Sequence, residues 1–573
     1  MTLVGCSTTN RRFRMHDMNG YGITPYVQID MSNQAYVFRI ALSPQRPDDE
    51  TEPFLYYNKY TKSMSADADR TGMSTHNAPE YIIVQAGGKG TRLKQLTRNK
   101  PKAIVSVNNL PMIFHLFRKY PESKFVIIGD YLKDVLDRYL EAFATVRFIT
   151  VGTDGHGGTC SGIGNALSKI PEDTRFMLIW SDLILSDEFQ IPYSDGNVIG
   201  ISKDFQCRWS YSNDSFVEEP SYKDGVAGLF VFDDKSILKD IPVEGEFVRW
   251  LQKERMTFQR ADLNGTSEHG LLNTIDQPSS GKCRPFNSMK IKGEYIIKTG
   301  IDEQGRKLAV REKAWYNHVK GLDVAIPRII SMEPLTMEKI DGGNIFEYDY
   351  DIEKKRDILC RIMQSLKDLH EYDQSVTDWF SMKDAYYAKT VDRLRKVRDL
   401  IPKSDEPFIT INGKRCRNVF FHMDEFKKRL DGIPCEKFCL IHGDCTFSNM
   451  MLRHGEEPVF IDPRGYFGYS ELVGDPNYDW AKLYYSLLGN YDQFNLGRFT
   501  LSIGEDVVLD IESNGWELLE DSFIEQLPTD ANIDDIRLIH AVIWLSLTTY
   551  AWNDYDSICG AFYNGLYYLE DVL

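Results

Sequence analysis

Apolar and polar residues alternate along this chain in more than one rhythm. From about residue 80 to 280, short apolar bursts are separated by amphipathic stretches. Tyr81–Val84, Phe125–Ile128, Val146–Val151, Phe176–Trp180 and Val226–Phe232 read as strands, and Pro111–Lys119 and Leu132–Ala142 as helices between them. That alternation predicts helices packed around a mainly parallel sheet, a sheet type that binds ligands at the carboxyl ends of its strands. From about 284 the rhythm changes. Lys290–Lys298 and Ile329–Ile340 predict short antiparallel strands, and helical periodicity follows. In Glu353–His370, Ile358, Leu359, Ile362, Met363, Leu366 and Leu369 share one helical face, and Ile536–Tyr568 is aromatic and helical. A small strand-rich lobe followed by a large helical lobe is expected there. Residues 1–79 say least: Tyr26–Ile29, Ala35–Ile40 and Phe54–Tyr57 have strand character, and Lys62–Glu80 reads as a polar linker. The expected organisation is an N-terminal segment (1–79), a first domain (80–280) and a second (284–573).

The first strand runs into Gly87-Gly88-Lys89-Gly90-Thr91-Arg92-Leu93, with Lys100-Pro101-Lys102 following. Glycines at a strand end let backbone N–H groups approach phosphate closely. Arg92 and Lys102 can neutralise a triphosphate. A metal there needs carboxylates: Asp182 follows the apolar strand Phe176–Trp180, and Glu268 is a second candidate. A further glycine loop, Gly155-His156-Gly157-Gly158-Thr159-Cys160-Ser161-Gly162, could read a base edge. His156 and His269 are expected as loop residues and Cys160 as packing.

A second phosphate signature is His442-Gly443-Asp444 with Asn449, followed by Val459-Phe460-Ile461-Asp462. Phosphoryl transfer from ATP to a hydroxyl needs a carboxylate to orient the hydroxyl, and an amide oxygen and a second carboxylate to hold Mg²⁺. Asp444, Asn449 and Asp462 suit those roles. Lys298, at the end of an apolar strand, can grip the α- and β-phosphates, with Glu312 as its partner. Glu338, in Met337-Glu338-Lys339-Ile340, lies in a segment suited to touch adenine. His442 is expected to support the loop. Asp475 and Asp479 are expected to cap a helix, with acceptor contact as the alternative.

The motifs GGKGTRL, PKAIVSVNNLPMI, GGTCSG, WSDLIL and GVAGLFVF together resemble the sugar-phosphate nucleotidyltransferases, which include phosphocholine cytidylyltransferases. The resemblance implies an α/β Rossmann-like fold in which Gly87, Gly88, Gly90, Thr91 and Arg92 hold the triphosphate, Lys102 meets phosphate oxygens, Asp182 binds Mg²⁺, and Gly158 and Thr159 lie near the base. That family often has Glu-Lys-Pro where this chain has Glu218-Glu219-Pro220, and the absent lysine would normally meet the acceptor phosphate. The second constellation resembles the aminoglycoside phosphotransferase and choline kinase superfamily, which implies an α+β two-lobed, protein-kinase-like domain. Its glycine-rich phosphate loop is missing, so Phe286–Lys292 would have to cover the phosphates. Asp462-Pro463-Arg464-Gly465 departs from the choline kinase pattern towards members acting on sugars and other hydroxylated metabolites.

Composition narrows the picture. Hydrophobic content is 42% and formal charge is −17, a balance that argues against nucleic acid as a partner. Ten cysteines without paired spacing predict reduced, buried thiols and a cytoplasmic setting. Leu3-Val4-Gly5-Cys6 has the form of a lipoprotein box but no basic and apolar run before it. Leu538–Leu547 is too short to span a bilayer. The expected protein is a bifunctional enzyme using ATP, Mg²⁺ and an NTP, with CTP favoured. It would act on a small-molecule acceptor, make an activated donor for surface polysaccharide or capsule, and leave homo-oligomerisation open. Choline or ethanolamine activation is the nearest alternative, and the tyrosines and tryptophans near the C-terminus would then form a cation cage; at helical spacing they read better as core. A sensor with one inactive domain and an antibiotic kinase fused to an unrelated partner are the others.

Overall fold

The structure, a computed structural model, describes residues 78–194, 196–272, 287–301 and 303–573, together with three N-terminal strands. Those strands, Arg12–Arg14, Tyr26–Asp30 and Val37–Ala41, form an antiparallel sheet of their own. Two of them match the expected strands. Leu3–Cys6, Phe54–Tyr57, most of the linker and Phe286 lie outside the described residues.

Thr75–Ile301 and Gly305–Leu573 make up one compact unit. Its first part is built on a nine-stranded sheet. Tyr81–Gln85 lies between Lys124–Ile128 and Phe176–Trp180, parallel to both, and Arg147–Val151 extends the parallel run. Ile82, Ile83 and Val84 have no exposed surface, as a central strand covered on both faces requires. The expected parallel sheet is therefore its core. Beyond Phe176–Trp180 the order turns antiparallel through Gly225–Phe232, which also pairs with Val198–Ser202. The helices Met112–Lys119, Lys133–Phe143 and Cys160–Leu167 connect the parallel strands.

In the second part, Asn287–Lys292, Tyr295–Gly300, Leu335–Glu338 and Ile329–Met332 form an antiparallel sheet in that spatial order. The helix Glu303–Val319 follows the second strand and carries Glu312. The helix Ile352–His370 begins where the Asp351 carboxylate accepts the Lys354 N–H, an N-cap that satisfies a donor the helix itself cannot. All six residues of its predicted apolar face are at most 1% exposed. The aromatic C-terminal stretch is two packed helices, Ile533–Leu547 and Tyr555–Leu569. Asp554 starts the second by accepting the Ser557 N–H. Within the first, His540 is fully buried, accepts the Trp544 indole N–H at 2.9 Å, and has no partner at Nδ1. Burial pulls its pKa down to about 3.

The two parts share a packed contact. Lys100, nearly inaccessible, forms ion pairs with Asp554 and with Asp556 (2.9 Å) at the start of the last helix. Asn99 donates to Asp556 and to the Leu501 carbonyl. Trp552 packs on Phe114 and Phe143, and the Tyr139 hydroxyl donates to its carbonyl. Against the cost of burial, the two aspartates hold Lys100 above its ordinary pKa. No helix among the described residues is long and apolar enough to cross a membrane.

Candidate active sites

The first site lies at the carboxyl end of Tyr81–Gln85. A cavity of about 290 Å³ is lined by Gln85, Gly87, Gly88, Lys89, Asp130, Thr153, Gly158 and Thr159. Both glycine loops therefore meet in one place. Gly90 has φ +61, and a Cβ there would press on Thr97 and Lys102, so glycine fits the turn where another residue would be strained. Gly158 has φ +90 with the Gly245 carbonyl where a Cβ would stand. Thr159 lines the cavity, and its hydroxyl accepts the Phe247 N–H at 2.9 Å, so it also anchors the helix Phe247–Lys253. Thr91 and Arg92 are exposed and do not line the cavity.

Lys102 is ion-paired to Asp182. Asp182 and Glu268 are brought together because Leu183–Ile184 pairs with Ser267–Glu268 and the His269 N–H bonds the Asp182 carbonyl. Burial, then the neighbouring Asp182 charge, raises the Glu268 pKa, as expected for two carboxylates sharing a site. His156 is a loop residue beside Glu244, and Cys160 is buried. Sequence reasoning missed Asp130. It stands just past the strand Lys124–Ile128, and its position at a parallel strand's carboxyl end was the available signal.

In the second site Lys298 bridges Glu312 (2.9 Å) and Asp462 (2.7 Å). Asp462 has φ +56, an uncommon backbone for a non-glycine residue, and its N–H donates to the Tyr316 hydroxyl. Against burial, the two carboxylates hold the Lys298 ammonium above its usual pKa. Asn449 donates to the Asp444 carboxylate (3.0 Å) and carbonyl (2.8 Å).

His442 has no exposed surface; Asp444 N–H points to its Nδ1, and its Nε2 lies 3.0 Å from the Ile461 carbonyl. It supports the loop, as expected. Asp475 caps the helix Pro476–Leu487 through the Asn477 N–H. Asp479 does not cap that helix and does not face an acceptor: fully buried, it accepts the His442 and Gly443 N–H groups and lies 3.1 Å from His370 Nε2. It fixes the loop that carries Asp444.

Glu338 lies in the segment expected to touch adenine through its backbone. Its N–H donates to the Arg328 carbonyl, and its carboxylate takes the Arg328 N–H and the Arg453 guanidinium. Strand pairing and a cross-lobe ion pair thus use its amide N–H and its side chain. Lys482 was not foreseen. Its Nζ is 2.9 Å from Asp444 Oδ1, and no motif flags a lysine one helical turn after Asp479.

Residues 81–192 match the nucleotidyl transferase family, and residues 291–497 match the phosphotransferase enzyme family. Over 109 residues the chain is 31% identical to a UTP–glucose-1-phosphate uridylyltransferase of Haloferax volcanii, covering 18% of this chain and 44% of that protein. Over 70 residues it is 40% identical to a choline-phosphate cytidylyltransferase of Streptococcus pneumoniae, covering 12% of this chain and 30% of that protein. The chain thus spans less than half of either relative. The solved structure of a CTP:phosphocholine cytidylyltransferase from Streptococcus pneumoniae aligns with 34% of this chain and 96% of its own, at 19% identity and TM-score 0.29. The chain joins a Rossmann-like nucleotidyltransferase domain to a kinase-like phosphotransferase domain, and both families are enzymes.

Proposed function

We propose that the two domains catalyse consecutive reactions, with residues 80–280 and 284–573 as their extents. In the first reaction, the hydroxyl oxygen of a small metabolite bonds to the γ-phosphorus of ATP, the bond to the β-phosphate oxygen breaks, and ADP leaves. Asp444 orients the hydroxyl and takes its proton. Lys298, held by Glu312, grips the nucleotide phosphates. In the second, a phosphate oxygen of that product bonds to the α-phosphorus of an NTP, with CTP favoured, and pyrophosphate leaves. The backbone around Gly87, Gly88 and Gly90 cradles the triphosphate, and Arg92 and Lys102 offset its charge. Gly158 and Thr159 complete that pocket, and Thr91, exposed outside it, would meet the triphosphate from solvent. The product would be an activated donor for surface polysaccharide or capsule.

Mg²⁺ suits both sites: it would be held by Asp182 and Glu268 in one, and by Asn449 and Asp462 in the other. The fit is chemical, since Asp182 and Glu268 are like charges placed side by side and Asn449 and Asp462 supply oxygen donors. The ion supplies charge neutralisation on the phosphates.

The observation that carries this reading is the Lys298–Glu312–Asp462 bridge in a domain that also holds Asp444 against Asn449. A screen of hydroxylated metabolites with ATP and each NTP, following ADP and pyrophosphate by mass spectrometry, tests it. Pyrophosphate release that depends on prior ADP formation is expected. Pyrophosphate released without any phosphorylated intermediate would contradict it.

A further inference from the structure

Beside Asp444 lies a cavity of about 70 Å³ whose wall is unusual in its charge. Lys389, Arg393, Arg464 and Lys482 all face it, among Tyr478, Tyr485 and Tyr550. Lys482 is neutralised by Asp444. The other three cations form no ion pair with any carboxylate among the described residues. Arg464 donates to the hydroxyls of Tyr478 (2.9 Å) and Tyr466 (3.1 Å). Arg393 donates to the Ser546 carbonyl (2.8 Å) and stacks on Tyr550. Lys389 has the Tyr466 ring at 5.9 Å. Neutral acceptors satisfy hydrogen bonds without cancelling charge.

Gathering three basic side chains without a carboxylate partner around one recess is unfavourable unless something negative enters. The effect on Lys389 has the same sense: burial, then Arg464, Arg393 and Lys482, push its pKa down to about 5, so its amine is neutral on its own and an entering anion would restore its charge. A cationic acceptor would be repelled by these groups, and the tyrosines, which could otherwise cage a quaternary ammonium, are already faced by guanidinium and ammonium groups.

Resting on the kinase reading above, the geometry points to an acceptor that is itself an anion: a small hydroxylated metabolite bearing a carboxylate or phosphate, seated on Lys389, Arg393 and Arg464 with its hydroxyl towards Asp444. Lys482 joins the two ends, since it both lines the cavity and holds Asp444. The volume, room for roughly five to seven waters, suits a compact acceptor better than an aminoglycoside. The choline and ethanolamine alternative is disfavoured by the same wall.

The test uses the full chain with Mg²⁺ and ATP, following ADP, and four acceptors of similar size: glycerate, glycerol 3-phosphate, glycerol and choline. Binding of glycerate, glycerol 3-phosphate and choline is measured in parallel by calorimetry on protein loaded with a non-hydrolysable ATP analogue. Binding and turnover with glycerate or with glycerol 3-phosphate, at least tenfold above glycerol and choline, are expected, and the better of the two identifies carboxylate or phosphate as the anchor. Arg393→Met and Lys389→Met should each weaken anion binding and raise the acceptor KM about tenfold, with the KM for ATP unmoved. Preference for glycerol or choline, or no calorimetric binding of either anion, would overturn the anionic acceptor and leave the kinase reading standing. Substitutions that raise the KM for ATP while sparing the acceptor would also overturn it, by assigning the cations to the nucleotide. Failure of the kinase reading is recognised separately, as absence of ADP formation across the wider metabolite screen.

Discussion

The glycine-turn site and the carboxylate site face the same problem, holding a polyphosphate in place, and are built in different ways. Around Gly87 and Gly158 three glycines share the wall with Gln85, Lys89, Asp130, Thr153 and Thr159, and Arg92 is exposed outside it. In the second site the charges are locked against one another: Lys298 and Glu312 are each less than 10% exposed at their side chains, and Lys482 closes on Asp444. The glycine cavity is built from the ends of neighbouring parallel strands and the loops that follow them, at Gln85, Gly87, Gly88 and Lys89, at Asp130, and at Thr153, Gly158 and Thr159. A site made of buried ion pairs draws on strands and helices far apart in sequence, because each charge removed from water needs a partner. The two meet at Lys100, two residues from Lys102 on one side and paired with Asp554 and Asp556 on the other.

That junction gives the largest expected effect. Lys100→Met leaves two partly buried aspartates without their cation and should cost about 3 kcal/mol of stability, read from denaturant unfolding followed by circular dichroism. A loss below about 1 kcal/mol would show that the junction contributes little and that the two halves are independent. Next in size, Lys298→Ala should lower kinase turnover by about 10²–10³-fold and leave pyrophosphate release from a supplied phosphorylated substrate unchanged. An equal loss in both assays would erase the distinction between the sites.

The smallest effect probes the burial of charge in the kinase half. His540 is held neutral in the fold, with a pKa near 3, while the unfolded chain protonates it near its ordinary value of 6.5. The unfolded state therefore binds the extra proton between those values, and stability is lost as pH falls below 6.5, by about 1.4 kcal/mol per unit. Burial raises Asp475 and Asp492 to about 6 and acts in the opposite sense, so the difference between His540→Leu and wild type isolates the histidine. That difference should shift by this slope in favour of the variant; a constant difference would mean the ring is not buried neutral.

The same contrast explains what was legible beforehand. The parallel strands, the six-residue face of Ile352–His370 and the carboxylates of the second signature could be read because each is a local pattern. The meeting of the two glycine loops followed from sheet order. Lys482, the basic wall of Lys389, Arg393 and Arg464, and the role of Asp479 could not be read, because they depend on how helices pack rather than on spacing within one segment. The engagement of the Glu338 amide by Arg328 and of its carboxylate by Arg453 was hidden for a related reason, since both partners come from other segments of the chain.

The most direct test is a crossed assay of two folded variants. Asp444→Asn should lower ATP-dependent acceptor phosphorylation by about 10²–10⁴-fold and spare pyrophosphate release, and Asp182→Asn should do the reverse. If either substitution abolishes both reactions, the two centres do not work separately and the account is wrong.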